Sequence, residues 1–343
     1  MTTAALLLVL ATVSTLLPDR APAVNLTFVA VAVGAGLASG AGTIAWTDVL
    51  ARGIARPKHS TLILSQAAIG GALASAVAVV SAWVFSSRTP IVGHIALAWF
   101  AVGFLVVSGA CAMLVALGRG TATAGHPSLA ATVRAGVAAT RRYPWLRGYL
   151  VHQVMFLSVS LATTFYSIRV AALHGSVAGS LAVIIAVTST ALVAGALLWK
   201  GVLTRHGYRG MLVGGTLCGV AAAGGAVLVE GLSLVGSPVV HAVLMLLATL
   251  AADAVSVSKS AYLVAYASPD ELPQLSAFSQ LTIGLSSAVL AAALAGVAQV
   301  HGTVWPVGIL LVLNVVAVVG ATRVPRPPSP PVDRHAGPAA PRP

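Results

Sequence analysis

The sequence predicts an all-α integral membrane protein of about ten transmembrane helices, arranged as two pseudo-symmetric bundles of four and six. Three observations predict it. Of 343 residues, 58% are hydrophobic and 8% charged, against roughly 25% charged in a soluble domain, and the mean hydropathy is +0.97. The apolar residues fall in helix-sized blocks separated by short polar punctuation, and about 20 apolar residues are what a helix needs to cross the hydrocarbon. A repeat at an offset of 214 residues relates the early blocks to the late ones.

The blocks lie at approximately residues 4–17, 24–50, 60–85, 91–117, 149–171, 180–203, 211–229, 238–262, 275–300 and 303–324. The first is short. Followed by Ala21-Pro22-Ala23, it resembles a secretory signal with a small-residue cleavage site, although Met1-Thr2-Thr3 lacks the basic residue such a leader opens with. If the first N-terminus is cytoplasmic and sides alternate, fifteen basic residues, from Arg52, Arg56 and Lys58 to Arg334 and Arg342, fall inside. Only Arg20, Arg88 and Arg169 fall outside, and that bias sets topology. A multi-pass protein of the cell membrane with both termini cytoplasmic is expected, in contact with the lipid bilayer and as a monomer.

These blocks divide the chain into a four-helix bundle (1–117), a basic cytoplasmic linker (118–148), a six-helix bundle (149–324) and a Pro/Arg-rich cytoplasmic tail (325–343). The tail has almost nothing to bury and is expected to be disordered. The linker stretch 128–140 is expected either as a helix lying on the inner leaflet, with Tyr143 and Trp145 as interfacial anchors, or as a solvated connection. The net charge of +12 is dispersed over loops and tail, so it reads as topology and not as a nucleic-acid surface. Cys111 and Cys218 lie in apolar blocks and form no disulfide or zinc pattern.

In the repeat, Ser65-Gln66-Ala67-Ala68-Ile69-Gly70 lines up with Ser279-Gln280-Leu281-Thr282-Ile283-Gly284, each copy opening a long helix after a polar cytoplasmic loop. The first, second and fourth blocks then overlay the seventh, eighth and tenth. Parallel repeats joined by a basic linker build one large class of transporters around a central site. The run Gly201-Val202-Leu203-Thr204-Arg205-His206-Gly207-Tyr208-Arg209 resembles the Gly-x-Leu-x-Asp-Arg-x-Gly-x-Arg loop of the major facilitator superfamily, with Thr204 where the family usually has Asp. Ala45-Trp46-Thr47-Asp48-Val49-Leu50-Ala51, before a basic loop, is similar to the fourth helix of many bacterial members.

The resemblance implies secondary transport by two rocking bundles. It also implies a cytoplasmic gate involving Gly201, Thr204, Arg205, Gly207 and Arg209, with Asp48 as a further gate residue or as an i, i+4 partner of Arg52. By this alignment the N-terminal half lacks its first two helices. The expectation is either a start further upstream or a reduced ten-helix member.

A charge inside a membrane helix costs roughly 2.5–3.5 kcal/mol at the centre, so each is a candidate site. Asp253, about 15 residues into the eighth block, is expected to bind a proton or a cationic group, or else to hydrogen-bond a neighbouring helix. Gln153 and Tyr166 are candidate lining of a largely apolar central cavity, and Gln66, Gln280, Tyr262 and Trp99 are weaker ones. Lys259 is expected to snorkel to the cytoplasmic interface, Arg169 to anchor at the outer one, and Glu230 to lie solvated in an outer loop. His94, His152 and His241 have no second ligand at metal spacing. No metal, cofactor or catalytic machinery is predicted, and the chain is not expected to be an enzyme. The expected activity is alternating-access transport of a small molecule, with proton-coupled efflux the favoured form. A membrane scaffold derived from a transporter and a membrane-embedded biosynthetic enzyme are the alternatives.

Overall fold

A computed structural model of the chain describes residues 2–17, 20–53, 59–85, 90–113, 128–174, 180–232, 237–268 and 271–324. The tail 325–343, the end of the fourth block (114–117) and the first part of the linker (118–127) lie outside the described residues. Among the described residues there are eleven helices and no strand. The first five are α1 (Thr2–Leu16), α2 (Ala21–Gly53), α3 (His59–Phe85), α4 (Pro90–Met113) and α5 (Leu129–Arg142). Then come α6 (Pro144–Met155), α7 (Leu157–His174), α8 (Ser180–Gly231), α9 (Pro238–Tyr266), α10 (Leu272–His301) and α11 (Val304–Arg323). With α6 and α7 running on as one, eight spans among the described residues are long and apolar enough to cross a membrane, and α1 is a shorter apolar helix. The chain is an all-α multi-pass membrane protein, the architecture that satisfies every backbone group without water.

Two blocks read as separate helices, 180–203 and 211–229, form the single 52-residue element α8. Straight, it would be roughly 78 Å long, more than twice the hydrocarbon thickness. It is not straight. Gly207 has φ 67° and ψ −171°, a left-handed backbone that favours glycine, and the chain folds back there. A methyl placed on Gly214 would meet the Trp199 ring at 3.1 Å, and Gly195 and Gly215 both face the same stretch of α9 around Leu250 to Ala254. The two arms of α8 are therefore antiparallel neighbours. The fifth block also shifts: its helix starts at Pro144, where a missing N–H costs nothing, and takes in Arg147.

The repeat coincides with the helix boundaries. Shifted by 214 residues, α2 spans 235–267 against Pro238–Tyr266 of α9, and α3 spans 273–299 against Leu272–His301 of α10. In the same way α4 begins where α11 begins, at position 304, and α1 covers 216–230 of the second arm of α8. The packing follows: α1 lies on α2 and α4, as α8 lies on α9 and α11. The helix α3 crosses to the later set and packs along α8, where Gly71 sits so close that a methyl would lie 2.7 Å from the Ser189 carbonyl. Small residues permit such approaches. Gly34 meets Leu6, Gly215 meets Ala254 and Gly219 meets Asn314, whereas Gly36, Gly40 and Gly42 face open space among the described residues.

Of the two expectations for 128–140, a helix is present, as α5. Ser128 caps it, its hydroxyl accepting from the Ala131 N–H at 3.2 Å, and α5 packs on α10 where Gly136 lies against the Phe278 ring. Its Arg134, Arg141 and Arg142 are exposed.

Candidate functional site

Four helices contribute polar side chains to one cavity of about 250 Å³. From α2 come Thr43 and Thr47, and from α6 Tyr149 and Gln153. The last third of α9 adds Ser256, Lys259, Ser260 and Leu263, and the opening of α10 adds Ser276, Gln280 and Ile283. Each helix contributes from the end that lies nearest the α5 linker, so the cavity occupies that half of the bundle. Apart from Leu263 and Ile283 every lining side chain carries a hydrogen-bonding group, which corrects the expectation of a largely apolar cavity. The hydroxyls are spaced singly along four separate helices, and only packing gathers them.

Several of these groups are already turned toward their own helices. Thr43 donates to the Ser39 carbonyl at 2.9 Å, Thr47 to the Thr43 carbonyl at 2.7 Å, and Ser260 to the Ser256 carbonyl at 3.1 Å. Their oxygens keep free lone pairs. Gln153 is only 2% exposed, and its Oε1 has no hydrogen-bond partner among the described residues. Lys259 is half-buried on the wall, and among the described residues it has neither an ion-pair nor a hydrogen-bond partner. A smaller recess beside the cavity is also lined by Lys259 and Gln153, together with Tyr262 and His152.

The other sequence candidates are placed as follows. Gln280 joins Gln153 in the cavity, while Gln66 and Trp99 are exposed on α3 and α4, Trp99 donating to Thr15 at 3.3 Å. Asp253 is not among the cavity residues: it faces α8, with Oδ2 3.2 Å from where a methyl on Gly195 would sit, and that oxygen is buried without a partner among the described residues. Tyr166 is at the opposite end, in a small apolar recess with Arg169, Glu230 and His241. The side chain of Asp48 and that of His94 lie outside the described residues.

The recess at that end contains a latch the sequence did not reveal. Glu230, expected in a solvated loop, is in the last turn of α8 and half-buried, and Arg169 of α7 donates to it through Nε at 2.9 Å and also through Nη2. The same guanidinium donates to Thr303 at 2.9 Å, tying α7, α8 and the start of α11. A long-range ion pair leaves no spacing signal in a single sequence.

At the linker end, the gate candidates form the turn of the α8 hairpin. Thr204 donates to the Gly201 carbonyl at 2.9 Å, Gly207 makes the reversal, Arg209 donates to the Thr322 carbonyl of α11, and Arg205 is exposed. Nearby, rings stack from Trp145 to Tyr266 at 5.4 Å, to Tyr262 at 4.5 Å and to Tyr149 on the cavity wall at 5.7 Å. Tyr143 donates to Glu271 at 2.9 Å, a bond that holds its phenol above the ordinary tyrosine range. Tyr143 and Trp145 thus anchor to the protein, at the border where the linker enters α6.

Fold and site define a helical multi-pass membrane protein with a polar cavity assembled from four spans. The chain is 31% identical over 300 residues to uncharacterized proteins of Mycobacterium tuberculosis and Mycobacterium bovis. The match covers 87% of this chain and 58% of those relatives, so the chain spans little more than half their length. No family model matches the chain, and no solved structure matches it.

Proposed function

We propose that the chain is a secondary transporter of the major facilitator type, carrying a small polar solute across the cytoplasmic membrane by alternating access. In this reading ten spans form bundles of four and six, with α8 counted as two and α1 as one, and both termini are cytoplasmic. The observation that carries it is the polar cavity where α2 of the first bundle meets α6, α9 and α10 of the second. A polar chamber inside a membrane protein is costly unless it holds water or solute. The closed latch of Arg169, Glu230 and Thr303 lies at the far end, so the arrangement corresponds to a cytoplasm-facing state.

Proton coupling is assigned to Asp253, the acid whose buried oxygen lacks a partner among the described residues and whose span also lines the cavity. Efflux is the favoured direction, and no enzymatic role is assigned. The test is to reconstitute the chain in liposomes, impose a pH gradient and follow radiolabelled sugars, amino acids and carboxylic acids, with Asp253→Asn in parallel. Saturable, gradient-driven movement of at least one class is expected, reduced about tenfold or more in Asp253→Asn, the size of effect that loss of a proton-transfer group brings. Passage of every class at the protein-free rate would overturn the reading.

A further inference from the structure

Among the described residues the cavity has one charged wall group, and it is a cation. Lys259 stands there among hydroxyls and amides, and the field these described groups set up in the chamber is positive. An ammonium held away from bulk water and without a counter-ion is costly, and a bound anion removes that cost. The neutral groups add a second requirement. The protons of Thr43, Thr47 and Ser260 are committed to backbone carbonyls, and Gln153 Oε1 is buried and unsatisfied, so the wall offers acceptors that need donors. The volume of about 250 Å³ gives room for a compact metabolite.

We infer that the cavity binds a small organic anion carrying one negative charge and hydroxyl-type donors, with Lys259 taking the charge and Gln153 and the threonine oxygens taking the donors. The inference rests on the transport reading for the cavity being reachable from water. It narrows the small polar solute to the chemistry of a small hydroxy acid.

The experiment reads the charge of the cavity directly. In a chain with Cys111→Ser and Cys218→Ala, a reporter thiol is placed at Ser260→Cys on α9, and separately at Thr47→Cys on the facing α2 wall. Each is treated in inverted vesicles with 2-sulfonatoethyl methanethiosulfonate, an anion, and with its trimethylammonioethyl counterpart, a cation, every rate being normalised to that of a free thiol. The anionic reagent is expected to react about tenfold faster than the cationic one at both positions. Lys259→Gln should bring the ratio to near one, and Lys259→Arg should keep it. A ratio near or below one with Lys259 present, or one that Lys259→Gln leaves unchanged, overturns the anion inference while the transport reading stands. Failure of both reagents to reach both positions means a cavity closed to water, and then both fall.

Discussion

Helices α4 and α11 hold the same place in the 214-residue repeat, and both are apolar enough to span a membrane, but their surroundings differ. Along α11, Pro306, Val307, Leu310, Asn314, Ala317 and Ala321 are buried against α6, α7, α8 and α10. Along the described part of α4 the buried side chain is Val102, and the helix packs chiefly on α1. The pair α2 and α9 differs in the same way: Val31 and Thr47 are buried on α2, whereas a continuous face from His241 to Val264 is buried on α9. Apolarity therefore does not decide burial here. Lipid tails are as apolar as leucine, so a span can face either, and the number of neighbouring helices with small residues at the contact decides which.

The largest expected effect separates two repeat-equivalent positions. Ala254 is fully buried against Gly215, while its equivalent Gly40 has open space around it. Ala254→Leu should cost about 3 kcal/mol of stability by overpacking, whereas Gly40→Leu should be neutral or raise stability by up to about 1 kcal/mol through helix propensity. Thermal unfolding in detergent measures both, and equal losses would erase the contrast between the two sets.

The next effect concerns a contact that the first set does not have, since Leu16 stands where Glu230 stands in the repeat. Arg169→Ala should cost about 2 kcal/mol, the value of hydrogen bonds to charged groups in a half-buried site. A double-mutant cycle with Glu230→Ala should give a coupling of about 1–2 kcal/mol, and additive losses would show that the latch carries no energy of its own.

The smallest effect is at the linker. Tyr143→Phe should lower the melting temperature by about 1–2 °C. The Tyr143 phenol is raised in the folded chain, so its contribution is present below the ordinary value of 10.0 and is lost as pH rises through the raised value. The variant's melting temperature should therefore approach that of the parent in strong alkali, and a constant gap at all pH would assign the bond to Glu271 no role.

Much of the fold was legible because a bilayer imposes length and apolarity on each span. The apolar helices and the repeat register were readable on that ground, whereas the linker stretch 128–140, which is no span, left a helix and a solvated connection both open. The reversal at Gly207 was legible as a motif, though not as the turn of one 52-residue element. The site was legible only in fragments. Gln153 and Gln280 were candidates and line the cavity, whereas Lys259 was assigned to the interface from its place near the cytoplasmic end of its helix, which does not reveal that it also lines the cavity. Asp253 stood out by depth alone, and depth does not tell whether a side chain faces a cavity or, as here, the Gly195 position of α8.

By itself the sequence determined the solvent of this protein, the register of its spans and the internal repeat, since hydrophobic length and helix period are local properties that the bilayer reads directly. The tertiary structure decided which spans bury their faces, where Arg169 finds Glu230, and that hydroxyls from α2, α6, α9 and α10 surround Lys259. Those contacts join residues up to more than 200 positions apart, and nothing in local sequence specifies which helices become neighbours when lipid and protein are equally good partners for an apolar face.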